Sequence, residues 1–437
     1  MLFGIMLYGM CCRCAAQGAG DQWDLQRCLD YAKTNNIQLN TLRLSQEISR
    51  ETLLQAKAAV YPSLSGGMTQ TYVHSNGANA EIAGTGSSNS FTSGYSLGSS
   101  WTVFNGGYWR DNVKLQRLGV TSAGLNTDET LNDLSLQITQ DFLGILLADE
   151  TITYAADLLN TSKTQLQQGQ DQFRAGSVAR AALTELEAQT ASDEYNLVAA
   201  QNAYRQDVLA LKQLLQLPTG YAMEIQRPDT AALMAVAPAV ALDSAVNDAM
   251  VTRPEIRNGE VFIQQSLLDL QMARAQRYPV AAIGTTVATG YGNNESIAYG
   301  TQATDNLYER VGLSVSIPIF NNRLYRAQVT ISKFRLAQAR LALTGTKTTL
   351  SQQVEQAYIG VLNSRAQYTA AKSQLRASQE SYRVASEQFK AGAANYVDLL
   401  QQKTLYVQAL QGYIQAKYSA VFDELMYNFY HGVPIKL

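Results

Sequence analysis

The sequence predicts a mainly α-helical protein that also carries membrane-type β-strands, built as two copies of one unit. Three observations support this fold class. Short motifs recur at a constant offset of about 216 residues, the predicted strands alternate between apolar and small polar residues, and two long stretches without proline carry an apolar heptad seam. Together they predict very long helices joined to short strands.

The composition limits the class of partner. The chain has 437 residues and a formal net charge of -2, and charged residues make up 16% of it, compared with roughly 25% in a typical soluble domain. A charge so close to zero argues against a nucleic-acid partner. The 8 prolines of the chain leave room for long uninterrupted helices.

The first residues are typical of a secretory signal peptide, which we predict at residues 1–16. An apolar stretch that ends at Cys12 precedes the small pair Ala15-Ala16, so the mature chain is expected to begin near Gln17. Two alternatives stay open. In the first, the natural start lies further upstream, since no Lys or Arg precedes the apolar stretch. In the second, Cys11 or Cys12 is acylated. No later run of 18 or more apolar residues predicts a transmembrane helix.

The chain contains an internal duplication. Gln172-Phe173-Arg174-Ala175-Gly176 recurs as Gln388-Phe389-Lys390-Ala391-Gly392, and we call the shift between these two segments the repeat offset. We divide the mature chain into a first repeat at 17–217, an Ala- and Pro-rich linker at 218–242 and a second repeat at 243–437. Each repeat has the order helix, strand, polar loop, strand, very long helix, short break and helix. Two further motifs recur: Phe104-Asn105 as Phe320-Asn321, at the repeat offset, and Tyr61-Pro62 as Tyr278-Pro279, one residue further on.

Each repeat is predicted to contain two strands, at 63–75 and 92–104 in the first and at 280–291 and 308–320 in the second. One face of these strands is apolar or aromatic, and the other is small and polar. A soluble sandwich with one wet face is the alternative, but such a face usually carries Lys, Glu and Arg. The near absence of charge favours a membrane barrel with lipid outside and water inside. The apolar face of the last strand carries Val311, Leu313, Val315, Ile317 and Ile319.

Four strands cannot close a barrel, and an open sheet edge is not tolerated in lipid. Several copies of the chain must therefore share one barrel. Three copies would supply 12 strands and four copies would supply 16, and the residues alone do not choose between these numbers.

Two long helical hairpins are predicted, at 107–216 with a tip near 175–178 and at 322–431 with a tip near 391–395. An apolar seam with alternating spacings of 3 and 4 recurs through both long helices, and each tip contains a glycine typical of a helix C-terminus. A helix of this length would reach about 100 Å at 1.5 Å per residue, which suits a wall that crosses a wide aqueous space. A structural coiled-coil rod is the alternative, but it leaves the strands unexplained. Shorter helices are expected near Leu25–Val60 and Pro254–Arg277.

Several short motifs occur in a fixed order along the two repeats. They are Trp23-Asp24-Leu25, Cys28-Leu29, Asn35-Asn36-Ile37, Arg253-Pro254-Glu255-Ile256, the two Tyr-Pro steps, Phe104-Asn105-Gly106-Gly107 and the duplicated Phe-x-Ala-Gly tips. No single motif is specific, but their order, duplicated at a fixed offset, resembles the TolC family of outer-membrane efflux proteins over nearly the whole mature chain. The N-terminal motifs are similar to those of members from Bacteroides-type bacteria.

The resemblance implies a homotrimer in the outer membrane, with a 12-stranded barrel in the lipid and an α-helical tunnel in the periplasm. The tips would dock a periplasmic adaptor that connects to an inner-membrane pump. The implied function is an exit duct that passes small molecules from the periplasm to the outside. Type I protein secretion through the same fold is one alternative, and a coiled-coil structural protein without transport is another.

The resemblance also implies candidate site residues. The family places an acid six residues after the second tip glycine, at the closed periplasmic mouth, and this position is Asp398. The equivalent residue of the first repeat is Ala182, and a second acidic position of the family is Gln401, so we expect a less acidic mouth than in the best-known relatives. Three symmetry copies of Asp398 would attract cations, whereas the alternative is an acid that stabilises its own helix N-terminus. The adaptor-contacting tips correspond to Ala175, Gly176, Ser177, Ala391, Gly392 and Ala393, for which ordinary turn chemistry is the alternative interpretation.

An enzyme is the remaining functional class, and the sequence argues against it. The 2 histidines, His74 and His431, are far apart in sequence, and no His-Glu-x-x-His or phosphate-binding loop occurs. The cysteines form neither a disulfide framework nor a spaced metal site. We therefore predict no catalytic activity, no cofactor and no metal.

Overall fold

A computed structural model describes residues 22–74, 89–228, 240–293, 295–391 and 393–435 of the chain. Several predictions fall partly or wholly outside these residues. They are the signal peptide at 1–16, the mature start near Gln17, the last residue of the strand predicted at 63–75, the middle of the linker at 218–242, and Gly392 of the second tip.

Within these residues the chain forms six strands and nine helices. The strands are β1 (Gln22–Trp23), β2 (Ser63–His74), β3 (Asn89–Phe104), β4 (Glu224–Ile225), β5 (Val280–Gly292) and β6 (Tyr308–Ser316). The helices are α1 (Leu25–Asn35), α2 (Ile37–Ala58), α3 (Tyr108–Arg174), α4 (Arg180–Leu214), α5 (Leu242–Thr252), α6 (Pro254–Ala275), α7 (Tyr299–Asp305), α8 (Leu324–Lys390) and α9 (Tyr396–Tyr430). None of the described helices has the length and hydropathy that are needed to cross a membrane.

The helices repeat in length and position. The long helices α3 and α8 have 67 residues each, and the returning helices α4 and α9 have 35 each. The repeat offset separates Tyr108 from Leu324, which begin the long helices, and also Arg180 from Tyr396, which begin the returning helices. No proline occurs in either long helix, so the N–H groups of the helix interior can all donate to the carbonyl four residues earlier.

The chain divides into two compact units. Among the described residues, the helical unit comprises those up to Asn40, those within Thr130–Arg253 and those from Leu350 onward. The sheet unit comprises Thr41–Glu129 and Pro254–Thr349.

A continuous apolar core holds the helical unit together. It gathers α1, the middle of α3, the end of α4 and the second half of α9. Its buried members include Trp23, Cys28, Ile138, Phe142, Ile145, Leu146, Leu211, Leu410, Ile414 and Val421. The short strand β1 pairs in parallel with β4 and so ties the N-terminal segment to the chain that follows α4.

The region expected to be helical near Leu25–Val60 holds two helices, because the chain breaks at Asn36. The buried side chain of Asn36 accepts a hydrogen bond from the N–H of Leu39 at 3.1 Å, as a helix N-cap does. The N–H of Ile37 donates to the side-chain oxygen of Gln216 at 2.9 Å. Both N–H groups at the start of α2 therefore have a partner outside the helix.

The four longer strands form one antiparallel sheet in the order β2-β3-β5-β6. Each repeat contributes one hairpin, and β3 pairs with β5 to join the two hairpins. β2 and β6 are therefore the edges of this sheet, and each has one side without a strand partner in the described part of the chain.

The predicted strand at 308–320 is too long, because β6 ends at Ser316. Pro318 explains the difference, since proline has no N–H to donate to a neighbouring strand. The predicted strand at 92–104 is too short, because β3 begins at Asn89 and continues to pair with the end of β2, His74.

Large apolar side chains on one face of the sheet are exposed. Val311 and Leu313 have exposed fractions of 78% and 69%. An apolar surface of this kind marks a contact with lipid or with another protein. Further exposed members of the same face are Leu64, Met68, Tyr72, Leu97, Trp101 and Val315.

The chain passes from the sheet into each long helix through a left-handed corner. Gly106 and Gly107 have φ angles of 66° and 87°, and their counterparts in the second repeat, Asn322 and Arg323, have 49° and 67°. Glycine adopts positive φ angles without steric cost, whereas the positive φ angle of Arg323 carries a steric cost because this residue has a Cβ. The second hairpin, predicted to begin at 322, has its first helical residue at Leu324 for this reason.

Candidate functional site

The first helical tip is a tight turn that satisfies the last carbonyls of α3. The N–H groups of Gly176 and Ser177 donate to the carbonyls of Phe173 and Gln172, at 3.0 and 2.9 Å. Gly176 has a φ angle of 73°, which is the usual conformation of the residue that ends a helix in this way. Ala175, Gly176 and Ser177 are all exposed.

The second tip repeats this geometry. The N–H of Ala393 donates to the carbonyl of Gln388 at 2.9 Å, as Ser177 does to Gln172, and the N–H of Ala391 donates to the carbonyl of Glu387 at 3.0 Å. Ala391 and Ala393 are exposed, and Gly392 lies outside the described residues. Turn chemistry accounts for the small residues at both tips. The two turns have similar geometry, and their described small residues are exposed.

Asp398 lies in the first turn of α9. Asn395 is the N-cap of this helix, and its side-chain oxygen accepts a hydrogen bond from the N–H of Asp398 at 2.9 Å. The carboxylate of Asp398 is exposed near the positive end of the helix dipole. Gln401 is exposed one turn later, and Ala182 occupies the matching place in the first turn of α4.

A small apolar cluster fixes the start of α9. Tyr396 packs edge-on against Phe389, with ring centroids 6.1 Å apart, and both are buried together with Leu399. Burial, followed by the charge of Glu185, raises the pKa of Tyr396 to about 12. The remaining buried members of the cluster are Leu186 of α4 and Ala385 of α8. The turn that carries Asp398 is therefore held by packing from α4 and α8.

A buried ion pair lies further along the same helices. The ammonium Nζ of Lys403 in α9 lies 2.5 Å from a carboxylate oxygen of Asp193 in α4, and the exposed fractions of the two side chains are 3% and 6%. Lys403 also donates to the hydroxyl of Ser162 in α3, which in turn donates to Asp193. Gln189 donates to the other oxygen of Asp193 at 2.9 Å. The pair thus joins three helices, with both carboxylate oxygens hydrogen-bonded.

A second ion pair joins α9 to α3. Lys417 Nζ lies 2.9 Å from a carboxylate oxygen of Glu150, and both side chains are mostly buried. Two ion pairs, at different positions along α9, therefore connect this helix to helices of the first repeat.

The described residues show no group of three or more His, Cys, Asp or Glu side chains that could hold a metal ion. Cys28 is buried, and burial raises the pKa of its thiol to about 12, so the thiol stays protonated at neutral pH. His74 lies at the end of β2 in the sheet unit, whereas His431 follows α9 in the helical unit.

Two stretches, 28–216 and 245–425, match the family model for the outer membrane efflux protein, and together they span most of both repeats. The chain belongs to the outer membrane efflux protein family.

This efflux protein is similar to curated and solved members across nearly its whole length. It is 24% identical to the outer membrane protein TolC of Escherichia coli (strain K12) over 416 residues, which cover 92% of this chain and 80% of TolC. CusC has a similar structure, with a TM-score of 0.82 at 18% identity over 96% of this chain and 95% of CusC. The CmeC outer membrane channel of Campylobacter jejuni gives a TM-score of 0.81 at 18% identity, over 93% of this chain and 85% of CmeC.

The comparisons confirm three predictions: the TolC-type family, the fold class of long helices with membrane strands, and the location in the outer membrane. The family is one of efflux channels and not of enzymes, which agrees with the prediction that this chain has no catalytic activity. The gate and tip residues stay predictions.

Sequence reasoning missed the buried ion pair of this efflux protein, although a signal was present. Along α9 the buried positions Tyr396, Leu399, Lys403 and Leu410 follow heptad spacing. A lysine at a buried heptad position needs an acid on a facing helix. Asp193 occupies such a position of α4, since Leu186 and Ala200 lie seven residues to either side and are also buried.

Proposed function

We propose that three copies of the chain form an exit duct that passes small molecules from the periplasm to the outside. One observation carries the proposal: among the described residues, the four-stranded sheet has two edges without a strand partner, β2 and β6, and an exposed apolar face. In lipid every backbone polar group needs a partner, so a four-stranded sheet must be closed by other copies. The number three comes from the resemblance to the TolC family and gives a barrel of 12 strands.

The helical unit independently supports a neighbouring copy. Residues of α3 that are buried within the chain have exposed counterparts in α8, one repeat offset later. Leu143 and Leu146 are each 3% exposed, whereas Ile359 and Leu362 are 46% and 45% exposed. The buried pair packs in the core that also contains α9. The exposed pair therefore fits the same kind of partner, a returning helix of another copy.

The returning helices show the converse relation. Ile414 and Leu425 of α9 are buried in the core of the helical unit, whereas their counterparts in α4, Val198 and Leu209, are exposed. An α4 of one copy would cover the α8 of the next copy as α9 covers α3 within one chain. Contacts of this head-to-tail type generate closed rings.

We place the periplasmic gate at Asp398, with Gln401 and Ala182 as the neighbouring positions that lack an acid. Three carboxylates of Asp398 around one axis would attract cations, because like charges at short distance are stabilised by a counter-ion. We place the periplasmic adaptor at the exposed tips formed by Ala175, Gly176 and Ser177 and by Ala391, Gly392 and Ala393. The adaptor would connect the duct to an inner-membrane pump.

The gate proposal is tested by single-channel recording in planar bilayers. The purified protein is expected to give stepwise currents that divalent cations block from the periplasmic side. Asp398→Ala is expected to weaken this block at least several-fold, because the ring of charge is lost. Glu380→Ala, which removes an exposed acid that pairs with Arg383 on α8, is the matched control and should leave the block unchanged. Unchanged block in Asp398→Ala would remove this residue from the gate.

A further inference from the structure

We infer the strand register with which neighbouring copies of this chain pair in the barrel: β6 of one copy runs antiparallel to β2 of the next, with Leu313 opposite Gln70. The inference rests on the proposed function, because it requires copies that close the sheet. It goes further by naming which residues meet across the seam between two copies.

The first step is that the two hairpins of one chain have the same register. Ser63 pairs with Ser100 in the first hairpin, and Val280 pairs with Ser316 in the second. The backbone pairing therefore makes Val280 the counterpart of Ser63 in the first strands, and Ser316 the counterpart of Ser100 in the second strands. The second strands are thus related by the repeat offset, and the first strands by one residue more.

The other end of the hairpins obeys the same rule. Thr71 pairs with Thr92, and Ala288 pairs with Tyr308. Ala288 follows Thr71 by the same number of residues as Val280 follows Ser63. Tyr308 likewise follows Thr92 by the same number of residues as Ser316 follows Ser100. One pair of shifts therefore relates the two hairpins along their whole paired length.

The second step is that one junction between hairpins is visible within the chain. β3, the second strand of the first hairpin, pairs with β5, the first strand of the next. A barrel built from repeated hairpins is expected to use equivalent contacts at each junction, as closed rings of identical subunits do. At the seam between copies, β6 takes the place of β3, and β2 of the next copy takes the place of β5.

The third step transfers the observed pairs across the seam by these two shifts. Leu97 pairs with Val287, which places Leu313 opposite Gln70 of the next copy. The irregularity between Thr102 and Phe104 does not disturb the transfer, because its counterpart near Pro318 lies beyond the end of β6. The other transferred pairs are Ser316 with Gly67, Val315 with Met68, Gly312 with Thr71, Val311 with Tyr72 and Glu309 with His74.

The chemistry of the two faces supports this register independently. Residues that lie directly opposite each other in a sheet point to the same face. The transferred register sets Val311 opposite Tyr72 on the apolar face, and Gly312 opposite Thr71 on the small polar face. A slip of one residue would set Val311 opposite Thr71 and would mix the two faces along the whole seam. The register also sets Glu309 opposite His74.

A slip of two residues would keep the faces intact, so the register has to be measured by crosslinking. Directly opposite residues have Cα atoms about 4.5–5.5 Å apart, which is within disulfide range, whereas diagonal neighbours are about 7–8 Å apart. We therefore test two adjacent double-cysteine variants, because one of two adjacent pairs is always of the non-hydrogen-bonded, closer type. The variants are Gln70→Cys with Leu313→Cys, and Thr71→Cys with Gly312→Cys. A Cβ at Gly312 would meet no atom within 4 Å in the chain itself.

Membranes that contain each variant are oxidised with copper phenanthroline, and the products are separated on denaturing gels with and without a reductant. We expect reductant-sensitive multimers from at least one of the two variants, formed at least tenfold faster than from the slipped pairs Leu313→Cys with Met68→Cys and Leu313→Cys with Tyr72→Cys. Single-cysteine variants are the control for random collision. The native Cys28 is buried, so we do not expect it to form crosslinks.

Faster crosslinking of either slipped pair would overturn the register and leave the proposed duct intact. Absence of crosslinks from every pair, in a complex whose mass shows several copies, would likewise overturn the register. Absence of crosslinks in a protein that is monomeric in the membrane would instead overturn the proposed function. Mass measurement on the same samples separates the last two outcomes.

Discussion

Replacing Lys403 with methionine is expected to lower the free energy of unfolding of the helical unit by about 3–5 kcal/mol. The substitution leaves the carboxylate of Asp193 without its counter-ion while its side chain is only 6% exposed. Ser162 and Gln189 still donate to the carboxylate, but neutral donors do not compensate a buried charge. Denaturant unfolding in detergent, followed by far-ultraviolet circular dichroism, measures the change because most of the signal comes from helices.

A second variant separates the lost charge partner from lost packing. Lys403→Met combined with Asp193→Leu removes both charges and is expected to recover most of the lost stability, since a buried ion pair can often be replaced by apolar residues at little cost. Lys390→Met is the surface control, because Lys390 and its partner Glu387 are both about half exposed, and such pairs contribute little. An equal loss in the single and the double variant would show that packing, and not the unpaired charge, causes the effect.

Replacing Gly106 with alanine is expected to lower the stability of the sheet unit by about 2–4 kcal/mol, through two effects. The residue has a φ angle of 66°, which costs an L-residue conformational energy. A Cβ there would also lie 2.8 Å from the carbonyl oxygen of Ala275 and 3.0 Å from Cβ of Tyr278. Because the nearest atom belongs to the backbone, either the corner between β3 and α3 or the end of α6 has to move.

Gly107→Ala is the matched control for this corner. Gly107 has a φ angle of 87°, but a Cβ there would meet no atom within 4 Å. The control therefore bears the conformational cost alone, and it should lose about 1–2 kcal/mol. Thermal unfolding of both variants in the same detergent measures the difference. An equal loss of stability in the two variants would mean that the backbone near Ala275 moves away from the added Cβ without an energetic cost.

The sequence predicts the repeat, the long helices and the sheet hairpins of this protein because each leaves a periodic record along the chain. The heptad seam marks Leu350, Val354 and Val361, which are buried at 2%, 0% and 0% exposure. Strand alternation similarly identifies the exposed apolar face of β6. These features depend on the spacing of residues within one segment, which a single sequence contains.

Features that depend on contacts between distant segments were not predicted. The break between α1 and α2 depends on the buried cap Asn36 and on Gln216. The side-chain oxygen of Gln216 accepts a hydrogen bond from the N–H of Ile37, which is remote in sequence. Gly169 weakens the apolar seam of α3, but the structure shows that Leu186 of α4 occupies the space where its Cβ would be. The Lys403–Asp193 pair likewise joins two segments that are far apart along the chain. Of the candidate site, the tip turns follow from local motifs, whereas the role of Asp398 rests on the family resemblance.

Whether copies of this chain close one shared barrel is decided by the number of chains in the native complex. Native mass spectrometry of the protein extracted from outer membranes in detergent measures this number. We predict a single species of three chains, with four strands from each. Four chains would keep the shared barrel but contradict the number three. A stable monomer would contradict the claim itself, because its sheet would keep two unpaired edges in lipid.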